Sequence, residues 1–174
     1  MIRDPNKFKL ATKDDVSQLL QFDYPRALFK VSLLGDKGVG LSTFRDYYLQ
    51  PRSGSSSTNY RGTVGCETGL KQLTVLGLTL RLQWWIIVAN FFLIPIYLRN
   101  SSLVLFFYDI TSKTSISLLE KIMDLVQKQT AVPVILVGNK CDLFKYREVS
   151  TEEVLNSEYM KDIAVYIEIS AETG

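Results

Sequence analysis

The stretch FKVSLLGDKGVGLSTF, residues 29–44, narrows the choice of fold more than any other part of the chain. A strand-length apolar run ends in a glycine-rich turn, and a segment with helical spacing begins at once. Units of this kind, with strands and helices alternating along the chain, argue for a mostly parallel sheet covered on both faces. The turn also has a chemical consequence. Its glycines let backbone N–H groups converge, and the helix N-terminus behind them adds positive potential, so the turn suits an anion. Gly35, Asp36, Lys37, Gly38, Val39, Gly40, Leu41 and Ser42 have the spacing of a phosphate-binding loop, with Leu41 where such a loop carries a lysine.

Strand and helix signals then alternate. Residues 42–49 read as a helix, and RSGSSSTN at 52–59 as a Ser/Gly-rich loop. Segments 70–75 and 78–85 read as two strands joined by a turn at Gly77. A strand is expected over 102–108, a helix over 115–129 and a strand over 133–137. Ser150 with Glu153 forms a capping box that opens a helix to about residue 159, and 165–169 is a last strand. This spacing predicts an α/β fold with a mostly parallel central sheet and helices on both faces. Residues 1–28 read as a polar N-terminal extension and 29–174 as one domain, a length that supports a single core. In the extension, Thr12 and Asp15 resemble a helix start, and Val16, Leu19, Leu20 and Phe22 form an apolar stripe that packs on the domain or offers itself to a partner; packing is the reading adopted.

Composition removes several kinds of chemistry. The chain has no histidine, which excludes imidazole triads and imidazole metal sites. Two cysteines, Cys66 and Cys141, make neither a disulfide framework nor a tetrahedral thiolate zinc site. A reduced, cytoplasmic location is the expectation. A formal charge of +2 gives no concentrated basic face, so nucleic acid is not an expected partner. MIRDPNKFKL has neither the apolar core of a signal peptide nor a glycine after Met1 for myristoylation.

Two later motifs sharpen the anion site. After the run VPVILV comes GNKCDL, which places Asn139, Lys140 and Asp142 in the pattern NKxD. A carboxylate there can accept hydrogen bonds from the N1 and 2-amino groups of guanine, donors that adenine cannot supply. ISAETG at 169–174 follows another strand, and a backbone N–H beside Ser170 and Ala171 can meet the guanine O6. In this order and spacing, the three motifs resemble those of the Ras superfamily of small GTPases, over roughly residues 29–174. GTVGCETGLKQLTVLGLTLRLQWW and FFYDITSKTSI look most like its Rab branch.

The resemblance implies a P-loop small-GTPase fold, with GDP or GTP as ligand. Residues 35–42 would surround the phosphates. Ser42 and Thr63 would ligate Mg²⁺, while Asn139, Lys140, Asp142, Ser170 and Ala171 would line the guanine pocket, with the Lys140 stem along the ring. It also implies a final helix, in many members a lipid-modified tail, and a place in vesicle traffic. The helix is expected to be absent from this chain, which is then a fragment or has its sheet covered by another chain or domain; peripheral membrane attachment would depend on the missing tail.

Several positions depart from the family pattern. Where the third strand should end in Trp-Asp-x-x-Gly-Gln, this chain reads Trp85, Ile86, Ile87, Val88, Ala89, Asn90. No catalytic residue is assigned: Asn90 stands at the usual glutamine position, Ile86 at that of the magnesium-ordering aspartate, and Ala89 at that of the glycine that meets the γ-phosphate. Glu172 replaces a customary lysine, and Ser53 an aromatic that would lie against the base, with Tyr60 as its nearest substitute. Lys37 is either a solvated loop lysine or a relocated phosphate ligand.

WWIIVANFFLIPIYL at 84–98 is too short to span a bilayer, which takes roughly 20 residues. Its later half fills space inside the domain or exposes Phe91, Phe92, Leu93, Ile94, Ile96 and Tyr97 to a protein partner or second domain. The surface reading is the one adopted. The expectation is a Rab-like guanine-nucleotide-binding protein with slow or absent hydrolysis. The alternatives are a pseudo-GTPase that binds no nucleotide and serves as an assembly module, and a GTPase that works by an altered mechanism through Lys37 and a partner's arginine.

Overall fold

The structure, a computed structural model, describes residues 27–49, 66–75, 78–88, 92–129 and 132–174. The strands are β1 (Ala27–Gly35), β2 (Cys66–Val75), β3 (Leu78–Val88), β4 (Leu103–Asp109), β5 (Val134–Asn139) and β6 (Val165–Glu168). The helices are α1 (Leu41–Leu49), α2 (Ile94–Tyr97), α3 (Lys113–Gln129) and α4 (Thr151–Asn156), with 3₁₀ turns at Cys141–Tyr146 and Glu158–Asp162. The strands form one six-stranded sheet in the order β2-β3-β1-β4-β5-β6, parallel except for the β2–β3 hairpin. The expected α/β architecture is present. The proposed helix within residues 12–22 and the loop at 52–59 lie outside the described residues.

Several boundaries differ from the sequence reading, two of them with a clear local cause. β2 starts four residues before Leu70, because Cys66 to Gly69 continue the antiparallel ladder against Ile87 to Trp84. The capping box forms as expected, with Ser150 Oγ accepting from the Glu153 N–H at 3.1 Å. Its helix stops at Asn156, however, where Ser157 turns extended and a 3₁₀ turn takes over.

Alternation along the strands gives the sheet two apolar faces. Leu34, Ile87, Val104, Phe106, Tyr108 and Leu136 meet Leu119, Ile122 and Met123 of α3 on one. Val31, Leu33, Trp84, Ile86, Leu105, Phe107 and Val137 pack with Leu41, Phe44 and Tyr48 of α1 on the other. Because β1, β4, β5 and β6 are parallel, their carboxyl ends share one edge of the sheet. Gly35 pairs with Phe107, Asp109 with Asn139, and Gly138 with Glu168. The three polar loops singled out in the sequence therefore gather at that edge, where parallel α/β sheets bind ligands.

The apolar segment 86–97 divides between core and surface, which corrects the expectation of an exposed patch. Ile86, Ile87 and Ile94 are fully buried, as is Leu98 just beyond. Ile94 and Leu98 lie one helical turn apart, so both turn inward, and the Leu98 N–H donates to the Ile94 carbonyl at 2.9 Å. Ile94 is therefore not a surface residue. Leu93 and Tyr97 are half-buried, and Phe91 lies outside the described residues. Only Phe92, 88% exposed, and Ile96, 60% exposed, keep the surface placement.

The end of this segment is tied to β1. The Lys30 ammonium donates to the carbonyls of Tyr97 at 2.5 Å and Arg99 at 2.8 Å, and lies 4.1 Å over the Trp85 ring. Beside it the hydroxyls of Ser32 and Ser101, both buried, share a hydrogen bond of 2.8 Å. Among the described residues, no helix is long and apolar enough to cross a membrane.

Truncating a buried side chain leaves a cavity, whereas truncating an exposed one does not. Ile94→Ala is expected to lower the free energy of unfolding by about 2–4 kcal/mol. Phe92→Ser should change it by less than about 0.5 kcal/mol. Urea titration of the two variants checks the division.

Candidate functional site

The glycine loop is shaped by two close approaches. A Cβ on Gly35 would lie 2.7 Å from the Phe107 carbonyl oxygen and 2.8 Å from the Val39 side chain. Gly40 has φ +96°, and a Cβ there would meet the Asn139 amide nitrogen at 2.2 Å. No other residue fits either position. Val39 and Leu41, on either side of Gly40, are both buried and join the cluster that holds Trp84, Ile86 and Phe107. The side chain at the lysine position thus belongs to the core and does not reach an anion. Within the loop, Asp36 Oδ1 accepts from the Lys37 N–H at 2.7 Å, while the Lys37 side chain is exposed. Ser42 is half-buried in the first turn of α1.

The second motif sits at the end of β5. Asn139 is 1% exposed, and its amide is engaged at both ends. Nδ2 donates to the Val39 carbonyl at 2.7 Å, and Oδ1 accepts from the Ala171 N–H at 2.9 Å. The side chain expected to line the base pocket therefore also joins the glycine loop to the last loop. Lys140 follows in the left-handed conformation, φ 67°, and its ammonium lies 2.6 Å from Asp109 Oδ2. That ion pair fixes the end of the Lys140 side chain. Asp109 Oδ1 accepts from Thr111 N at 2.8 Å and Thr111 Oγ1 at 2.7 Å. Burial alone would raise the Asp109 carboxyl, but the Lys140 and Thr111 donors outweigh it and hold it below its ordinary range.

Asp142 lies exposed on the 3₁₀ turn after Lys140 and has no hydrogen bond or ion pair among the described residues. Ser170 is buried and accepts from the Thr173 N–H through its hydroxyl at 3.1 Å. Gly40, Thr43, Asn139, Lys140, Asp142, Leu143, Ala171 and Glu172 line one cleft of about 210 Å³. The structure thus brings residues from all three motifs to one place. Asp109 was missed by motif reasoning, although FFYDIT places a carboxylate at the end of β4, and the parallel register puts it beside Asn139.

Among the described residues, few groups could hold a divalent cation. Of the two expected ligands, Ser42 is at hand and Thr63 lies outside the described residues. Ile86, at the position of the water-ordering carboxylate, is fully buried in the core. No three His, Cys, Asp or Glu side chains cluster as a metal site among the described residues. Ser53, Tyr60, Ala89 and Asn90 also lie outside them.

A polar network supports the site from the other face of the sheet. Arg147 grips Glu168 with two hydrogen bonds of 2.8 and 2.6 Å, and Thr151 and Tyr166 donate to the same carboxylate at 3.0 and 2.5 Å. The Tyr166 hydroxyl also shares a 3.0 Å hydrogen bond with the buried Tyr108. This fixes β6 against its neighbours immediately before the 169–174 loop. The Arg147 bonds hold the Glu168 carboxyl down to about 2, with burial opposing and the Tyr166 and Thr151 hydrogen bonds assisting. Across the chain as a whole, residues 30–174 match the family model of the Ras family.

A depressed native carboxylate stabilises the fold above its unfolded pKa, here the ordinary 4.5, and that contribution fades as the pH falls toward about 2. Glu168→Gln should therefore be clearly less stable than the parent at pH 6. The gap should shrink steadily between pH 4.5 and 2.5, as read by urea unfolding at each pH.

Proposed function

The chain belongs to the Ras family of small GTPases, a family of guanine-nucleotide-binding proteins, and we propose that it binds a guanine nucleotide, hydrolyses GTP slowly or not at all, and acts through protein contacts. The observation that carries this reading is the Asp142 carboxylate, exposed at a preformed cleft and without an ion-pair or hydrogen-bond partner among the described residues. It can accept from the N1 and 2-amino groups of guanine, as the resemblance implies. The stapled loops and the tethered Lys140 supply preorganised walls around it.

Slow hydrolysis is supported by what surrounds the phosphate loop. Phosphoryl transfer depends on placed charge and a positioned water. Leu41 and Ile86 bring hydrocarbon to two positions where the family uses charge, and both are core residues. Lys37 adds bulk at the loop's hinge. The proposed contact surface is narrowed to Phe92 and Ile96, which are exposed while the other described residues of the segment are buried or half-buried. Rab-like specificity rests on the sequence patterns alone, and a role in vesicle traffic follows from that likeness by analogy.

A second reading, an assembly module that binds no nucleotide, is favoured by one observation. The Ala171 N–H expected to meet the guanine O6 already donates to Asn139.

Titration of the purified chain with GDP and GTP separates the two readings. Asp142→Ala removes two charge-assisted hydrogen bonds and should weaken guanine nucleotides about 100-fold, with the circular dichroism spectrum unchanged. Absence of binding at millimolar nucleotide would select the assembly module. GTP turnover should be undetectable over hours in the parent chain.

A further inference from the structure

Taking the guanine-nucleotide reading as its basis, we infer that this cleft selects its ligand by the base alone, so that GMP, GDP and GTP are one ligand class to it, held without a divalent cation. Charge around the loop points this way. Among the described residues, the Leu41 side chain is in the core, the Lys140 ammonium is committed to Asp109, and Arg45 is paired with Asp46 and Glu67. Lys37 is the remaining cation of the glycine loop, and its side chain is exposed. An exposed, solvated ammonium on a flexible stem gives a phosphate little.

Negative charge is placed closer. The Asp36 carboxylate bonds the Lys37 N–H at 2.7 Å and so takes up one of the backbone donors that a strand-to-helix turn offers an anion. It also sets a like charge against any phosphate that enters. Asp142 and Glu172 add two more carboxylates to the cleft wall. Each phosphate added to the ligand brings further negative charge into this field, with the loop's remaining N–H groups and an exposed lysine to offset it.

The usual remedy for such crowding is a divalent cation bridging the phosphate oxygens. The described residues do not build that site. Ser42 supplies one hydroxyl, and the strand position that would hold the cation's water shell is the fully buried Ile86. The base half of the cleft keeps more of its groups, although the Ala171 N–H is engaged by Asn139. Asn139 holds the two loops together, Asp109 fixes Lys140, and Asp142 keeps its carboxylate available. Recognition therefore resides in the base-reading half.

Isothermal titration of the full chain with GMP, GDP and GTP, in magnesium and again in excess EDTA, tests this. Affinities within about threefold of one another, unchanged by EDTA, are expected. GTP bound more than tenfold tighter than GMP, or a tenfold loss in EDTA, would overturn the inference while leaving the guanine reading standing. No binding of any guanine nucleotide, or binding indifferent to Asp142→Ala, would remove both. Asp36→Asn keeps the loop's size and takes away the charge, so it should raise GTP affinity severalfold relative to GMP. A ratio that does not move would show that the carboxylate has no part in the selection.

Discussion

The carboxamide of Asn139 holds the ligand edge of this protein together. Its two ends reach 100 residues back to Val39 and 32 residues forward to Ala171, so that one buried side chain sets the distance between the first loop and the last. Removing it would leave a carbonyl and an N–H unsatisfied away from water, at a cost of about 1–3 kcal/mol for each. It also explains the residue it touches. Gly40 is glycine because the amide nitrogen occupies the space where a Cβ would stand. Every other contact in the cleft, from the Lys140 tether to the placement of Ala171, takes its position from loops fixed in this way.

Much of the fold could be read from periodicity. Strand-length apolar runs alternating with helical segments are the pattern of a covered parallel sheet, and the three polar loops had to meet because parallel strands end on one edge. The site was legible as far as motifs reach. Asp142, Ala171 and Gly40 were found from spacing, but the bond between Asn139 and Val39 was not, since nothing local in either segment indicates a partner so distant. Asp109 was hidden differently. A carboxylate after a strand signals little until the register places it beside Lys140. The segment 84–98 misled for a third reason. Uniform hydrophobicity conceals direction, and only the helical turn between Ile94 and Leu98 separates inward residues from the outward Phe92 and Ile96.

Leu41 and Ile86 stand at positions where the family pattern carries charge, and in this structure they belong to one packed layer. With Val39, Trp84, Phe107 and Val137 they form a continuous apolar cluster beneath the glycine loop, and Phe44 and Tyr48 of α1 cover it. Trp84 meets both rings edge-on or nearly so, with centroids 6.3 and 4.8 Å away. Charged groups at these positions would demand solvation that the layer cannot provide. Leu41 and Ile86 thus complete one face of the core beneath the loop.

The Lys30 ammonium, seated on Trp85 and bonded to the carbonyls of Tyr97 and Arg99, fixes the end of α2 to the central strand and not to the ligand cleft. The consequence concerns information. In a molecular switch, a surface carries a message because it stands in different places when the cleft is full and when it is empty. Here the rim bearing Phe92 and Ile96 is anchored to β1, inside the sheet. On the proposed contact reading, a protein bound at this rim would report that the domain is present, and what the cleft holds would have to be reported by some other surface.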